Sequence, residues 1–120
     1  MDLKAIAEEL VAGCRENRAV ANLDKLYAAD AVSVEAMDMQ GMGREAKGLG
    51  AIKGKHDWWD ANHEVTGGSV SDPMLHGEDR FAVIFDMQGK NKASGETFAM
   101  QEVAVYHVKD GRIVREEFFY

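Results

Sequence analysis

The sequence predicts an α+β fold, with helices from the first half of the chain packed on one face of an antiparallel sheet built mainly by the second half. Three observations carry that prediction. Leu3, Ile6, Ala7, Leu10, Val11 and Cys14 recur at three- and four-residue spacing, the signature of an amphipathic helix. Residues 80–87 and the last quarter of the chain are rich in Val, Ile, Phe and Tyr, which suit a pleated, half-buried surface. Asp110-Gly111 splits that last quarter into two strands, because a type I′ turn needs φ > 0 at both central positions. Helices first and strands after is the order of an α+β plan.

In chain order, Asp2 is the N-cap candidate of the first helix, which is expected to reach about residue 18. Asn22 or Asp24 then caps a short second helix that packs Leu23, Leu26 and Tyr27. Residues 31–36 read as a short strand, and the Met- and Gly-rich stretch 37–43 as a loop or a poor strand. A third helix follows Gly48, with Leu49, Ile52, His56 and Trp59 on one stripe and Lys55, Asp57 and Asp60 facing away. Gly50 and Gly54 each weaken it by about 1 kcal/mol relative to Ala, so it needs tertiary support. Glu64-Val65-Thr66 opens a strand, Gly67-Gly68 marks a bulge or bend in it, and Pro73 ends or edges it. Residues 77–79 form a turn and residues 89–95 a polar loop. No repeat or linker divides the chain, so residues 1–120 are expected to form one domain.

Charge and cysteine content exclude several classes of function. The net charge is −7, with no basic run to meet phosphates, so neither nucleic acid nor an anionic membrane is an expected partner. Cys14 stands alone, which leaves no intramolecular disulfide and no cysteine metal cluster; it reads as a buried core thiol. His56, His63, His76 and His107 lack the spacing of a zinc helix, and the glycines lack a phosphate-cradle pattern, so no metal or cofactor is expected. No apolar stretch approaches the ~18 residues of a membrane span, and the N-terminus lacks a signal-peptide core. A cytoplasmic protein is the expectation.

A regular two-residue turn at Asp110-Gly111 pairs Lys109 with Arg112 and Val108 with Ile113, and so on outward. One face then carries Gln101, Val103, Val105 and His107 with Val114, Glu116, Phe118 and Tyr120. The other carries Glu102, Ala104, Tyr106 and Val108 with Ile113, Arg115, Glu117 and Phe119. Neither face is polar enough to be simply wet, so one is expected beneath the helices and the other against a second copy of the chain. The face with Glu116 is the one expected to look inward.

Residues 26–35 (Leu-Tyr-Ala-Ala-Asp-Ala-Val-Ser-Val-Glu), 48–52 (Gly-Leu-Gly-Ala-Ile) and 108–114 (Val-Lys-Asp-Gly-Arg-Ile-Val) together resemble the nuclear-transport-factor-2-like superfamily, and within it the SnoaL-like proteins. The resemblance spans nearly the whole chain. It implies a cone: a strongly curved sheet wrapped on the helices, a pocket inside, and a homodimer across the outer sheet face. The superfamily includes polyketide cyclases, ketosteroid isomerases, dehydratases, epoxide hydrolases and domains without catalysis, so the site must carry the functional argument.

A carboxylate in an apolar pocket is the device to look for, since burial raises its pKa toward the working pH. Glu35, at the end of the first strand, falls where the resemblance to ketosteroid isomerases places an aspartate base; Glu116 is the second candidate. The positions matching that family's oxyanion donors are Val103 and Val11, so steroid isomerisation is not expected. Trp59, His63, Gln101, Val103, Val105, Phe118 and Tyr120 are the candidate ligand-binding residues. These residues suggest a cofactor-free isomerase- or cyclase-type enzyme acting on a small apolar carbonyl compound. The alternative is a small-ligand-binding or dimerisation module without chemistry. A third grouping, Glu102, Arg115 and Glu117, resembles the acid–Arg–acid constellation of limonene epoxide hydrolase relatives.

Overall fold

The computed structural model describes residues 1–38 and 40–120. Helix α1 (Leu3–Arg15) starts as expected: Asp2 Oδ1 accepts a 2.8 Å bond from Ala5 N, satisfying one of the donors a helix start leaves open. It stops at Arg15, short of residue 18, because Asn17 turns into left-handed backbone and Arg18 N bonds back to Gly13 O. Helix α2 (Ala21–Leu26) begins earlier than expected. Its N-cap is Val20, and neither Asn22 nor Asp24 caps it. Asn22 is buried instead and donates to Glu9 O at 3.1 Å, tying α2 to α1. Helix α3 (Leu49–Asn62) follows Gly48 as read.

The strands are β1 (Tyr27–Val34), β2 (Glu45–Lys47), β3 (His63–Val70), β4 (Met74–His76), β5 (Arg80–Asn91), β6 (Thr97–Lys109) and β7 (Arg112–Phe119). In the stretch read as a loop, residues 37–43, Met39 lies outside the described residues and the others form no strand. Strand β5 runs through Gly89 to Asn91, further than its composition suggests. The sheet is curved and open, with strand order β2-β1-β7-β6-β5-β3 and β4 beside β5. Every pairing is antiparallel except β1 with β7, which run parallel.

The turn is as the sequence specifies, with φ 53° at Asp110 and 75° at Gly111, and Lys109 and Val108 face Arg112 and Ile113. One residue later the register departs from the regular hairpin. His107 pairs with Arg115, so Val114 is an extra residue, a β-bulge. Tyr106 then pairs with Glu116, Ala104 with Phe118, and Val103 with Phe119. Side chains alternate with period two, so one inserted residue exchanges the faces of everything after it. Glu116 and Phe118 join Glu102, Ala104 and Tyr106 beneath the helices. Gln101, Val103 and Val105 lie on the outer face with Arg115 and Glu117. The expected inner face is thus corrected strand by strand: right for β7, reversed for β6.

Ile6, Ala7, Leu10 and Val11 of α1 pack with Leu23, Leu26 and Ile52 against Phe81, Val83, Ala104 and Ile113 of the sheet. Phe81 and Tyr106 stack across β5 and β6 with centroids 4.8 Å apart. The bend marked by Gly67-Gly68 is a second bulge, with the β3–β5 register shifting between Val65 and Gly67. A Cβ at Gly68, where φ is 150°, would sit 2.1 Å from Asp86 O. Gly68→Ala is therefore expected to destabilise by about 2–4 kcal/mol in urea unfolding. Gly54→Ala is expected to stabilise by about 1 kcal/mol, because its added methyl meets open space inside a helix.

Candidate functional site

A cavity of about 500 Å³ lies between the three helices and the concave face of the sheet. Its walls are mostly apolar: Leu10 from α1, Trp58 and Trp59 from α3, and Phe85, Met100 and Phe118 from the sheet. The closed end is made by buried Tyr27, Tyr106 and Glu116. The mouth lies beside the exposed stretch that includes Met42 and Gly43. Polar groups gather at two places.

At the closed end, Tyr27 Oη donates a 2.6 Å hydrogen bond to Glu116 Oε2. Burial and the charge of Glu116 push the phenols of Tyr27 and Tyr106 well above the ordinary range, so both keep their protons at neutral pH. The same two causes push the Cys14 thiol up to about 11, which makes it unreactive. Cys14 is half-buried and lines this cavity rather than lying wholly within the core.

Nearer the mouth, Lys55 Nζ is 2.5 Å from Glu35 Oε1, donates to Ser33 Oγ at 2.6 Å and lies 4.8 Å from the centroid of the Phe118 ring. Lys55 thus does not face away as its helical position suggested; Ser33 on β1 and Glu35 just past its end draw it in. Tyr120 Oη donates to Glu35 Oε2 at 3.0 Å. Glu102 shares this region but has no hydrogen bond or ion pair among the described residues. Burial and then the Glu35 charge push its carboxyl up to about 7; Lys55 opposes that rise, and Glu116 adds to it. Near neutral pH, both the protonated and the charged form of Glu102 are populated.

Of the residues nominated from sequence, Glu35, Trp59, Glu116 and Phe118 line the cavity. His63 stands behind it, stacked on Trp59 at 3.8 Å with Nδ1 3.2 Å from Trp59 O. Tyr120 reaches the site through Glu35 and is not part of the lining. Gln101, Val103 and Val105 are turned outward by the register change at Val114, and Gln101 Nε2 donates to Asp86 Oδ1 instead. The same change separates Glu102, inside, from Arg115 and Glu117, which pair outside at 2.8 Å. The acid–Arg–acid grouping is therefore not assembled. No metal-binding cluster of His, Cys, Asp and Glu occurs among the described residues. Sequence reasoning missed Tyr106, Tyr27 and Lys55 as cavity residues, and its register put Glu102 on the outer face with Arg115 and Glu117. Glu102 and Tyr106 were correctly read as sharing a strand face; what was missing was the bulge that joins them to Glu116.

A curved sheet closed by N-terminal helices over an apolar cavity defines the nuclear-transport-factor-2-like, cystatin-like class of α+β fold. The chain belongs to the SnoaL-like domain family, whose sequence profile matches residues 1–120. Among solved structures it is similar to a candidate SnoaL-like polyketide cyclase from Mesorhizobium loti, with 38% identity, full coverage of both chains and a TM-score of 0.91. It shares its fold with an NTF2-like protein from Burkholderia pseudomallei, at 15% identity and a TM-score of 0.79, over 100% of this chain and 92% of that one. It also shares it with TerC, co-crystallised with polyporic acid, at 21% identity and a TM-score of 0.71, over 98% and 88% of the two chains. No curated protein matches the sequence. No helix among the described residues is long and apolar enough to cross a membrane.

The raised pKa of Glu102 couples folding to pH. Between about 4.5 and 7 the folded chain holds a proton that the unfolded chain releases, so stability falls as pH rises through that window. The loss from this group reaches up to about 3 kcal/mol. Denaturant titrations of Glu102→Gln are expected to match wild type near pH 4.5 and to exceed it by about 1–3 kcal/mol at pH 8.

Proposed function

We propose that this SnoaL-like protein is a cofactor-free acid/base enzyme of the isomerase or cyclase type, acting on a small, largely apolar carbonyl compound. The observation that carries the reading is Glu102: an unpartnered carboxyl facing an apolar cavity, with a pKa near 7. Such a group takes a proton from a carbon beside a carbonyl and returns it elsewhere, because both of its protonation states are populated at working pH. Glu35 and Glu116 line the same cavity. Glu35 holds up the Glu102 pKa by its charge, and Lys55 is the nearby cation suited to a developing enolate oxygen. The cavity volume falls within the ~300–1,000 Å³ of ordinary small-molecule sites. The likeness to a candidate polyketide cyclase supports the reaction class, and the TerC complex supports a fold that receives an organic molecule.

The second reading is a binding module without chemistry. In its favour, Glu35 and Glu116 are already engaged, by Lys55 and by Tyr27. Deuterium exchange at the α carbons of 2-tetralone, followed by NMR in heavy water, separates the two. Wild type is expected to accelerate exchange over buffer, and Glu102→Gln to lose that acceleration by about 100-fold or more. Glu35→Gln should move the pH profile of exchange to lower pH, since removing that charge lowers the Glu102 pKa. Exchange at the wild-type rate in Glu102→Gln rejects the assignment. Tight binding of 2-tetralone with no exchange by wild type decides for the module.

The same proposal includes a homodimer formed through the outer sheet face. Ile84 beside Val103, Val105 beside Ala82, and Phe119 beside Val103 make an apolar stripe there, with Phe119 exposed. Light scattering is expected to give a dimer for wild type and a monomer for Val103→Lys combined with Val105→Lys.

A further inference from the structure

The closed end of the cavity holds two oxygens that the protein does not use. Glu116 is 3% exposed, and among the described residues only its Oε2 takes a hydrogen bond, from Tyr27. Tyr106, 3% exposed, sits directly opposite Glu116 across β6 and β7, and its phenol has no partner among the described residues. Among those residues no fully enclosed side-chain nitrogen or oxygen lacks a partner. Glu116 Oε1 and Tyr106 Oη therefore open on the cavity, where both residues are part of the wall.

We propose that this pair is a recognition subsite for a hydroxyl group, so that the ligand is a hydroxylated carbonyl compound inserted hydroxyl first. A hydroxyl satisfies both oxygens at once, donating to Glu116 Oε1 and accepting from Tyr106 Oη. A carbonyl oxygen can only accept, and leaves the carboxylate oxygen bare. An anionic end is repelled by Glu116 in a site where charges are poorly screened. Tyr106 keeps its proton for this purpose, because burial and the Glu116 charge both oppose its loss. The reach of the ligand follows from the strand. Tyr106 lies four residues beyond Glu102 on the same face of β6, about 13 Å along it. Two fused rings carrying oxygens at opposite ends span from one polar group to the other once the side chains are counted.

The inference rests on the cavity receiving an apolar carbonyl compound, as proposed above, but not on turnover. The test is calorimetric binding of 6-hydroxy-2-tetralone and of 2-tetralone, with quenching of Trp58 and Trp59 fluorescence as a second readout. The hydroxyl compound is expected to bind wild type about tenfold more tightly. Tyr106→Phe should bring that ratio to within about twofold, and Glu102→Gln should leave the preference in place although exchange is lost. Equal affinity of the two compounds for wild type overturns the hydroxyl subsite while leaving the carbonyl-compound reading intact. Failure of both to bind at millimolar concentration overturns the two together. A tetralin carrying an aminomethyl group in place of the hydroxyl, if it binds more tightly than the hydroxyl compound, also overturns the subsite, since Glu116 would then be reading charge.

Discussion

One inserted residue, Val114, is the constraint on which the site depends. Without it, the type I′ turn would carry a regular ladder outward and set Glu117 and Arg115 beneath the helices. With it, Ile113, Glu116 and Phe118 all face inward, and the Arg115–Glu117 pair remains at the surface. An unpaired residue in a ladder costs something locally. The alternative is a buried Arg and Glu on the core side of the sheet, which costs several kcal/mol per ion before pairing returns any of it. That difference is large enough to select the bulged register.

The cavity then has to hold Glu35, Glu102 and Glu116 in mostly apolar surroundings, and it treats each differently. Glu35 is met by a cation, a phenol and a half-buried position. Glu116, deeper, is met by the phenol of Tyr27 at 2.6 Å. Glu102 has no hydrogen bond or ion pair among the described residues, and burial moves its proton equilibrium instead. The two ends of one cavity thereby acquire different character: a titrating group near the mouth, and a fixed donor–acceptor pair at the closed end. Such a division suits a site that holds one end of a molecule while protons move at the other.

Particular residues show how far reading the chain could go. Asp2 as a cap, Asp110-Gly111 as a turn and Gly67-Gly68 as a bulge are each specified within a few residues, by hydrogen-bonding reach or by positive φ. Glu35, Trp59, Glu116 and Phe118 were placed in the cavity by strand and helix periodicity together with the family resemblance. Ile113-Val114-Arg115 contains no glycine and nothing else that marks a bulge, so Gln101, Val103 and Val105 were assigned to the wrong side of the sheet. Lys55 was read as solvated because helical spacing describes the helix, not the Ser33 and Glu35 side chains that face it.

The sequence by itself determined the class of fold, the order of helices and strands, the turn that pairs the last two strands and the presence of carboxylates on apolar faces. These follow from local geometry and from period, which act over a handful of residues. The tertiary structure alone decided which carboxylate is left unpartnered, which phenols meet the other two and which face of β6 meets the helices. Those depend on the register of paired strands and on desolvation by groups distant in the chain, and neither is written in any short stretch of it.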